Sequence, residues 1–384
     1  MPATNADQSY DVVVVGGGVI GLACAWRAAE RGMRVCVAER EHVGCGASGV
    51  AAGMLAPVGE ATWGEEPLLE LALASASAWP KFAANLETAA GLPSTYERIG
   101  ALHVAMDRDQ VQELRRRFDL HQRLGLESEW LLPRQCRALE PGLAPSCAGG
   151  LHAVSESAVD PQALCAALIA ALQGAGGELF EHAEAAGLLA AGEAAAGIRL
   201  ADGRELRAPT VVIASGSWSG ADWLPQKARP PVRPVKGEIL TLRGADQPVV
   251  ARIVAGERFY AVPRADGRLV VGATVEEHGF DTTVTAGGVH ELLREAYRAL
   301  PEIAEMELAE ARAGLRPASP DNAPLIGPGA IDGLVLATGH FRNGVLLAPI
   351  TADVVVGLIA GEAPEAGLAA FAPDRFVRER VASR

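Results

Sequence analysis

Lysine is nearly absent from this sequence. Only Lys81, Lys227 and Lys236 appear among 34 basic residues, and the rest are arginines. Positive charge as a whole is in deficit, with 47 acidic side chains against those 34 and a formal net charge of −13. That balance argues against broad nucleic-acid binding. The six cysteines, at 24, 36, 45, 136, 147 and 165, form no C-x-x-C pair, which argues against a zinc or dithiol site. All six are expected to be buried, reduced thiols of a cytosolic protein. Long apolar runs are missing too. Val12–Val15 is one strand's length, and the stretch from Val345 to Ala360 is broken by Pro349 and Asp353. Neither reaches the roughly 18 uncharged residues of a membrane span. The opening residues Met1-Pro2-Ala3-Thr4-Asn5 carry no positive segment of the kind that precedes a signal peptide's apolar core. The expectation is a soluble, cytoplasmic chain. With 384 residues, 49% hydrophobic and 21% charged, it is globular and long enough to build its core without disulfide or metal.

What is present begins with Tyr10-Asp11-Val12-Val13-Val14-Val15-Gly16-Gly17-Gly18-Val19-Ile20-Gly21. Four consecutive valines read as a strand buried on both faces, as in a parallel sheet. The strand runs into Gly16-x-Gly18-x-x-Gly21, a helical stretch from Leu22 to Arg31, a terminating Gly32, and a second strand, Arg34–Ala38, that closes on Glu39. Together these make the full dinucleotide fingerprint. Gly16 permits the tight turn, Gly18 lets backbone approach a pyrophosphate at the helix N-terminus, and Gly21 lets helix and strand pack closely. Glu39 accepts hydrogen bonds from ribose hydroxyls. The small residues from Gly44 to Gly53, ending at Met54-Leu55, suit a loop lying flat along a long ligand such as a flavin dinucleotide.

Further along, a helix is expected from about Pro67 to Ala90, a strand from Gly100 to Met106, and a charged helix from Asp109 to Leu124. The Arg115-Arg116-Arg117 run of that helix reads as a solvated face. Asp160-Pro161 starts another helix, with Asp as cap and Pro in the first turn. Then come a strand at Glu178–Phe180, a hairpin at Asp202-Gly203 and a buried strand at Val211–Ile213. Residues 229 to 285 read as antiparallel β, with strands Val232–Leu242, Arg258–Val262 and Arg268–Val271, followed by a helix at about Glu291–Arg298. The chain closes with a strand at Leu334–Thr338, the run Gly339-His340-Phe341-Arg342-Asn343-Gly344, and a helix to about Ala360. The fold class is therefore α/β, with a parallel-sheet domain interleaved with an antiparallel one.

Several stretches resemble the glycine oxidase branch of the D-amino-acid-oxidase-like flavoproteins. They are Gly16–Gly21, Ala51–Leu55, Ala214–Gly220, Val235-Lys236-Gly237-Glu238, Tyr260–Arg264, Gly267–Thr274, Ala313-Gly314-Leu315-Arg316-Pro317 and Gly339–Pro349. They span nearly the whole chain in the family's order. The resemblance implies a Rossmann-type FAD-binding domain of 1–90, 151–228 and 312–384. The antiparallel-sheet domain for substrate binding and oligomerisation would then be 91–150 and 229–311. It also implies non-covalent FAD, a small amino-acid substrate, oxygen as acceptor, a homotetramer, and a role in thiamine biosynthesis. FAD contacts fall on Gly16, Gly18, Val19, Ile20, Gly21, Glu39, Arg40, Ala47, Ser48, Ala52, Gly53, Met54 and Ala185, and on His340, Phe341, Arg342, Asn343, Gly344, Val345 and Leu346. Substrate contacts fall on Arg316, Tyr260, Arg342 and Met54. Competing readings of the same fold are a D-amino-acid dehydrogenase, a sarcosine-oxidase-like amine oxidase and the flavin domain of a tRNA-modifying enzyme; outside enzymes stands a non-catalytic flavoprotein scaffold.

Oxidising an amino acid at Cα requires a grip on the carboxylate, and a guanidinium holds one bidentately, so Arg316 suits that part. Tyr260 adds a hydrogen bond and an aromatic wall. Hydride transfer from a neutral amine needs no side-chain base, so no catalytic acid–base residue and no metal are expected; for His340 the resemblance implies a backbone role. Two residues before the tyrosine, where the family carries a histidine, stands Arg258. Strand alternation would put Arg258 on the Tyr260 face, at the pocket or its rim. There a cation would receive the second acid of D-aspartate, D-glutamate or iminodiacetate. The competing expectation is an arginine in solvent or paired with a nearby carboxylate.

Overall fold

The computed structural model describes residues 9–244, 248–363 and 366–376, so Met1–Asn5 lie outside the described residues. The valine run forms the strand Val12–Val15, central in a six-stranded sheet. It pairs in parallel with Val35–Ala38 on one side and Thr210–Ile213 on the other. Glu178–Phe180 extends one edge in parallel, and Leu334–Thr338 the other. Leu325–Pro328 closes that edge antiparallel. The residues of the central strand are all buried, as the lack of polar alternation requires.

The helix after the glycine turn, Val19–Glu30, starts three residues before the expected Leu22 and stops at Gly32, whose φ of 81° is a conformation glycine adopts freely. It packs with Glu66–Ala90, Pro161–Gly174 and Ala348–Ile359 in a core where Trp26 and Trp79 both meet Phe82 edge-on, at 5.4 and 5.3 Å. The Pro161–Gly174 helix is capped as its sequence demands: the Asp160 carboxylate accepts from the N–H of Gln162 at 2.9 Å.

The second sheet has eight strands, in the order Glu307–Ala318, Arg233–Arg243, Arg268–Gly272, Tyr260–Pro263, Ile253–Ala255, Ala101–Ala105, Gly149–Ala153 and Glu129–Leu131. It is antiparallel except at one joint, where Ile253–Ala255 runs parallel to Ala101–Ala105. The divisions expected at 150/151 and 311/312 fall inside its Gly149–Ala153 and Glu307–Ala318 strands. A three-stranded sheet of Ala185–Ala191, Ala194–Leu200 and Glu205–Arg207 holds the Asp202-Gly203 hairpin.

Three local expectations are corrected. The helix expected at 291–298 spans Ala286–Ala299, because the Thr285 hydroxyl caps it by accepting from Gly288 N. The strand expected at 258–262 begins only at Tyr260. Cys45 is exposed, whereas the other five cysteines are buried as expected. No helix among the described residues is long and apolar enough to cross a membrane.

Candidate active site

A single cavity of about 930 Å³ is lined by every sequence-predicted site residue except Gly21. Gly21 has the packing role its place in the motif predicts, since a Cβ there would lie 1.9 Å from the carbonyl oxygen of Gly16. Gly16 itself sits at φ 106°, with no room for a Cβ against Ala214. The turn is held by side chains from elsewhere in the chain. Val19 N donates to Ser48 Oγ at 2.9 Å, and Gly17 N donates to Glu39 Oε2 at 2.8 Å. The other Glu39 oxygen accepts from Glu41 N at 2.9 Å. A carboxylate has about four acceptor sites, so Glu39 retains capacity for ribose hydroxyls. Gly53 turns at φ 70°, where a Cβ would strike Val159 O, and Arg264 steadies this small-residue loop by donating to Ala52 O at 2.6 Å.

The residues present fit a flavin dinucleotide: a tight glycine turn opening a helix, an acid beside it, and a long cavity running on to a guanidinium. Removing the acid tests the assignment. Glu39→Ala is expected to weaken FAD binding about 10- to 100-fold, matching a charge-assisted hydrogen bond of roughly 1.5–3 kcal/mol. Titration of the apoprotein with FAD measures it, and amino-acid preference at saturating FAD should not move.

The segment after Gly339 is a series of turns, and the last helix begins only at Ala348, not directly after Gly344 as the sequence reading has it. Phe341 N donates to Pro317 O at 2.8 Å, which ties the segment to the Arg316 strand. Trp79 Nε1 and Ser75 Oγ both donate to Leu346 O, at 2.8 and 2.6 Å. The N–H groups of Arg342, Gly344, Val345 and Leu346 have no hydrogen-bond partner among the described residues, so this wall of the cavity offers donors without any helix dipole. The His340 ring is buried against Thr351, with Nε2 at 3.0 Å from the hydroxyl.

At the other end, Arg316 projects from Glu307–Ala318 across its partner strand. Its Nη1 donates to Thr274 O at 3.0 Å and to Lys236 O at 3.3 Å. No ion pair holds it among the described residues, which leaves the rest of its fork for a ligand. The guanidinium lies over Gly237, where any Cβ would collide with it. Beneath it, the buried Lys236 ammonium is 2.8 Å from Glu238 and 3.4 Å from Glu276, and Thr274 donates to Glu276. Tyr260 stands beside Arg316; burial raises its hydroxyl's pKa and the Arg316 charge partly offsets this. Arg342 pairs with Glu60, Nε to Oε2 at 3.1 Å.

Arg258 takes the second of the two places expected for it, in solvent beside a carboxylate. It precedes the strand, its side chain is 60% exposed, and it stands 3.6 Å from Glu291. It touches the cavity only as an exposed residue, because strand alternation does not govern a residue outside the strand.

Glu60, His103 and Arg117 are among the cavity residues that the sequence reading does not single out. Arg117 is the correction to the solvated arginine run. It is three positions from both Leu114 and Leu120, the buried residues of the Arg108–Leu124 helix, and so shares their inward stripe while Arg116 faces out. Helical spacing is the signal that marks it. Burial holds His103, His121 and His340 neutral, at about 3, 4 and 3. Unfolded, each takes up a proton near pH 6.5, so below that pH the unfolded state binds more protons and stability falls. Burial pushes the Glu156 carboxyl up to about 8, which works in the opposite sense. His152, whose pKa burial also lowers, acts in the same sense as these three; together they outweigh Glu156, and the expected net loss between pH 7 and pH 5.5 is about 2 kcal/mol. Denaturant midpoints at pH 7 and pH 5.5 measure it.

A family model described as DAO, FAD dependent oxidoreductase, matches residues 11–358. The glycine oxidase of Geobacillus kaustophilus is 33% identical over 370 residues, 96% of this chain and 97% of that protein. The bifunctional protein ThiO/ThiG of Synechocystis is 34% identical over 373 residues, 96% of this chain but 54% of that longer protein. The crystal structure of the Geobacillus glycine oxidase matches with a TM-score of 0.90 at 33% identity, covering 96% of this chain and 99% of that one.

Proposed function

From the premise that the chain belongs to the DAO family of FAD dependent oxidoreductases, we propose that it is a cytoplasmic amino-acid oxidase. It takes glycine and other small amines or D-amino acids to their imines, with oxygen as the final acceptor and hydrogen peroxide as co-product. The single observation that carries this is the Arg316 guanidinium. It lies without an acidic partner among the described residues, beside Tyr260, in the cavity that also contains the glycine turn. Likeness to glycine oxidase over nearly the whole of both chains supports the substrate.

FAD, held by the glycine turn, Glu39 and the 339–346 segment, supplies the hydride acceptor. The chain's own residues bind and orient. Arg316 grips the carboxylate and fixes its plane, and Tyr260 adds a hydrogen bond and an aromatic wall. The unpartnered N–H groups of residues 342–346 favour negative charge close by. With His340 buried and engaged by Thr351, the amine reacts in its neutral form, its proton lost to solvent. The imine leaves and hydrolyses to glyoxylate or a 2-oxo acid with ammonia. Likeness to ThiO/ThiG supports a place in thiamine biosynthesis.

The test is anaerobic mixing of the FAD-loaded protein with glycine. Loss of the yellow absorbance, and peroxide on admitting air, is the expected result; unchanged absorbance with glycine, sarcosine and D-alanine would overturn the reading. The homotetramer the resemblance implies is checked by light scattering.

A further inference from the structure

Arg117 is a cation with surplus donors at the substrate end of the cavity. Its Nη1 carries two hydrogens, and both are used: one goes to Gly59 O at 3.1 Å and one to His103 Nδ1 at 3.2 Å. Because a guanidinium only donates, His103 Nδ1 must be the acceptor, and the ring proton sits on Nε2. That Nε2–H is buried with no acceptor. Nε and Nη2 of Arg117 donate to nothing among the described residues, and no carboxylate lies within ion-pair distance of it there.

The acids around Arg117 are already engaged or neutral. Glu60 pairs with Arg342, and Glu113 with Arg116 at 3.3 Å. Glu156, which accepts from Gly59 N at 2.7 Å, is held protonated near neutral pH by burial. Arg117 donates to the carbonyl of Gly59, the neighbouring Glu60 pairs with Arg342, and all of these line the same cavity as Tyr260 and Arg316. A substrate's α-carboxylate answers Arg316. One guanidinium, half-buried and rigidly held, remains without an anion.

We propose that Arg117 receives a second acidic group of the substrate, so that the preferred substrate class is amino acids carrying a further carboxylate. This rests on the oxidase reading and deepens it. It also moves the second anion site from the exposed, Glu291-paired Arg258 to a residue that a helix holds in place. A desolvated cation with free donors favours a dianionic substrate over a monoanionic one through charge-assisted hydrogen bonds.

The experiment compares kcat/KM for glycine with that for iminodiacetate, D-aspartate and D-glutamate in the wild type, Arg117→Gln, Arg117→Lys and Arg258→Gln. The expected result is that Arg117→Gln lowers the diacid-to-glycine ratio by roughly tenfold or more. Arg117→Lys should recover part of the ratio, and Arg258→Gln should leave it unmoved. FAD content per chain checks folding, and perturbation of the flavin spectrum by glutarate against acetate gives the same comparison without turnover. Wild-type oxidation of glycine with none of the diacids, or a ratio unchanged in Arg117→Gln, overturns the proposal and leaves the oxidase reading standing. Failure with glycine and diacids alike, in FAD-loaded protein, overturns both.

Discussion

Arg316→Ala is expected to abolish useful turnover of glycine while FAD stays bound. Removing one partner of a desolvated charge pair costs about 2–5 kcal/mol. At 1.36 kcal/mol per decade, that is about a 30- to 5,000-fold loss of kcat/KM. The cofactor should stay because its anchors, the glycine turn and Glu39, adjoin the six-stranded sheet, whereas Arg316 belongs to the eight-stranded one and bonds none of them. Arg316→Lys should fail substantially too. It keeps the charge but loses the planar fork that both bonds these carbonyls and grips a carboxylate. Steady-state kinetics with FAD occupancy from the visible spectrum is the measurement. Near-wild-type kcat/KM in either variant would remove Arg316 from the site.

Gly237→Ala should be nearly as damaging, although alanine is ordinarily the mildest change a strand can receive. In Arg233–Arg243, Gly237 pairs with Gly314 of the neighbouring strand, and the Arg316 side chain crosses directly above it. An added methyl would occupy the space of the guanidinium. The end of a long side chain can move aside, so folding and FAD content should survive. The displaced guanidinium, however, loses its aim, and a misplacement of about 1 Å can cost about a hundredfold in rate. Because Gly237 acts through Arg316, the two substitutions should not add: in an Arg316→Ala background, Gly237→Ala should change kcat/KM little. Full additivity would show that Gly237 matters for another reason, such as strand pairing.

Local sequence by itself determined the nucleotide end of this protein. The valine run, the glycine spacing, the terminating Gly32 and the acid after the second strand are consecutive. Their geometry follows from backbone sterics and hydrogen bonding between near neighbours, so Val12–Ala38 forms strand, helix and strand in the order read, with the helix three residues longer at its start. Arg316 and Tyr260 were legible as types suited to a carboxylate, and the structure places both on the cavity wall. Tertiary structure alone decided what surrounds them. Arg258 left the pocket face because its strand begins two residues later, and alternation holds only inside a strand. Arg117 looked like one of three solvated arginines, but the stripe it shares with Leu114 and Leu120 turns inward toward Gly59 and His103, residues remote in the chain. Gly237 carried no local mark, since its importance lies in a side chain that pairing brings over it from residue 316. Periodicity shows which way a side chain points on its own element; what it meets there depends on packing between elements far apart in sequence, and a linear reading does not contain that information.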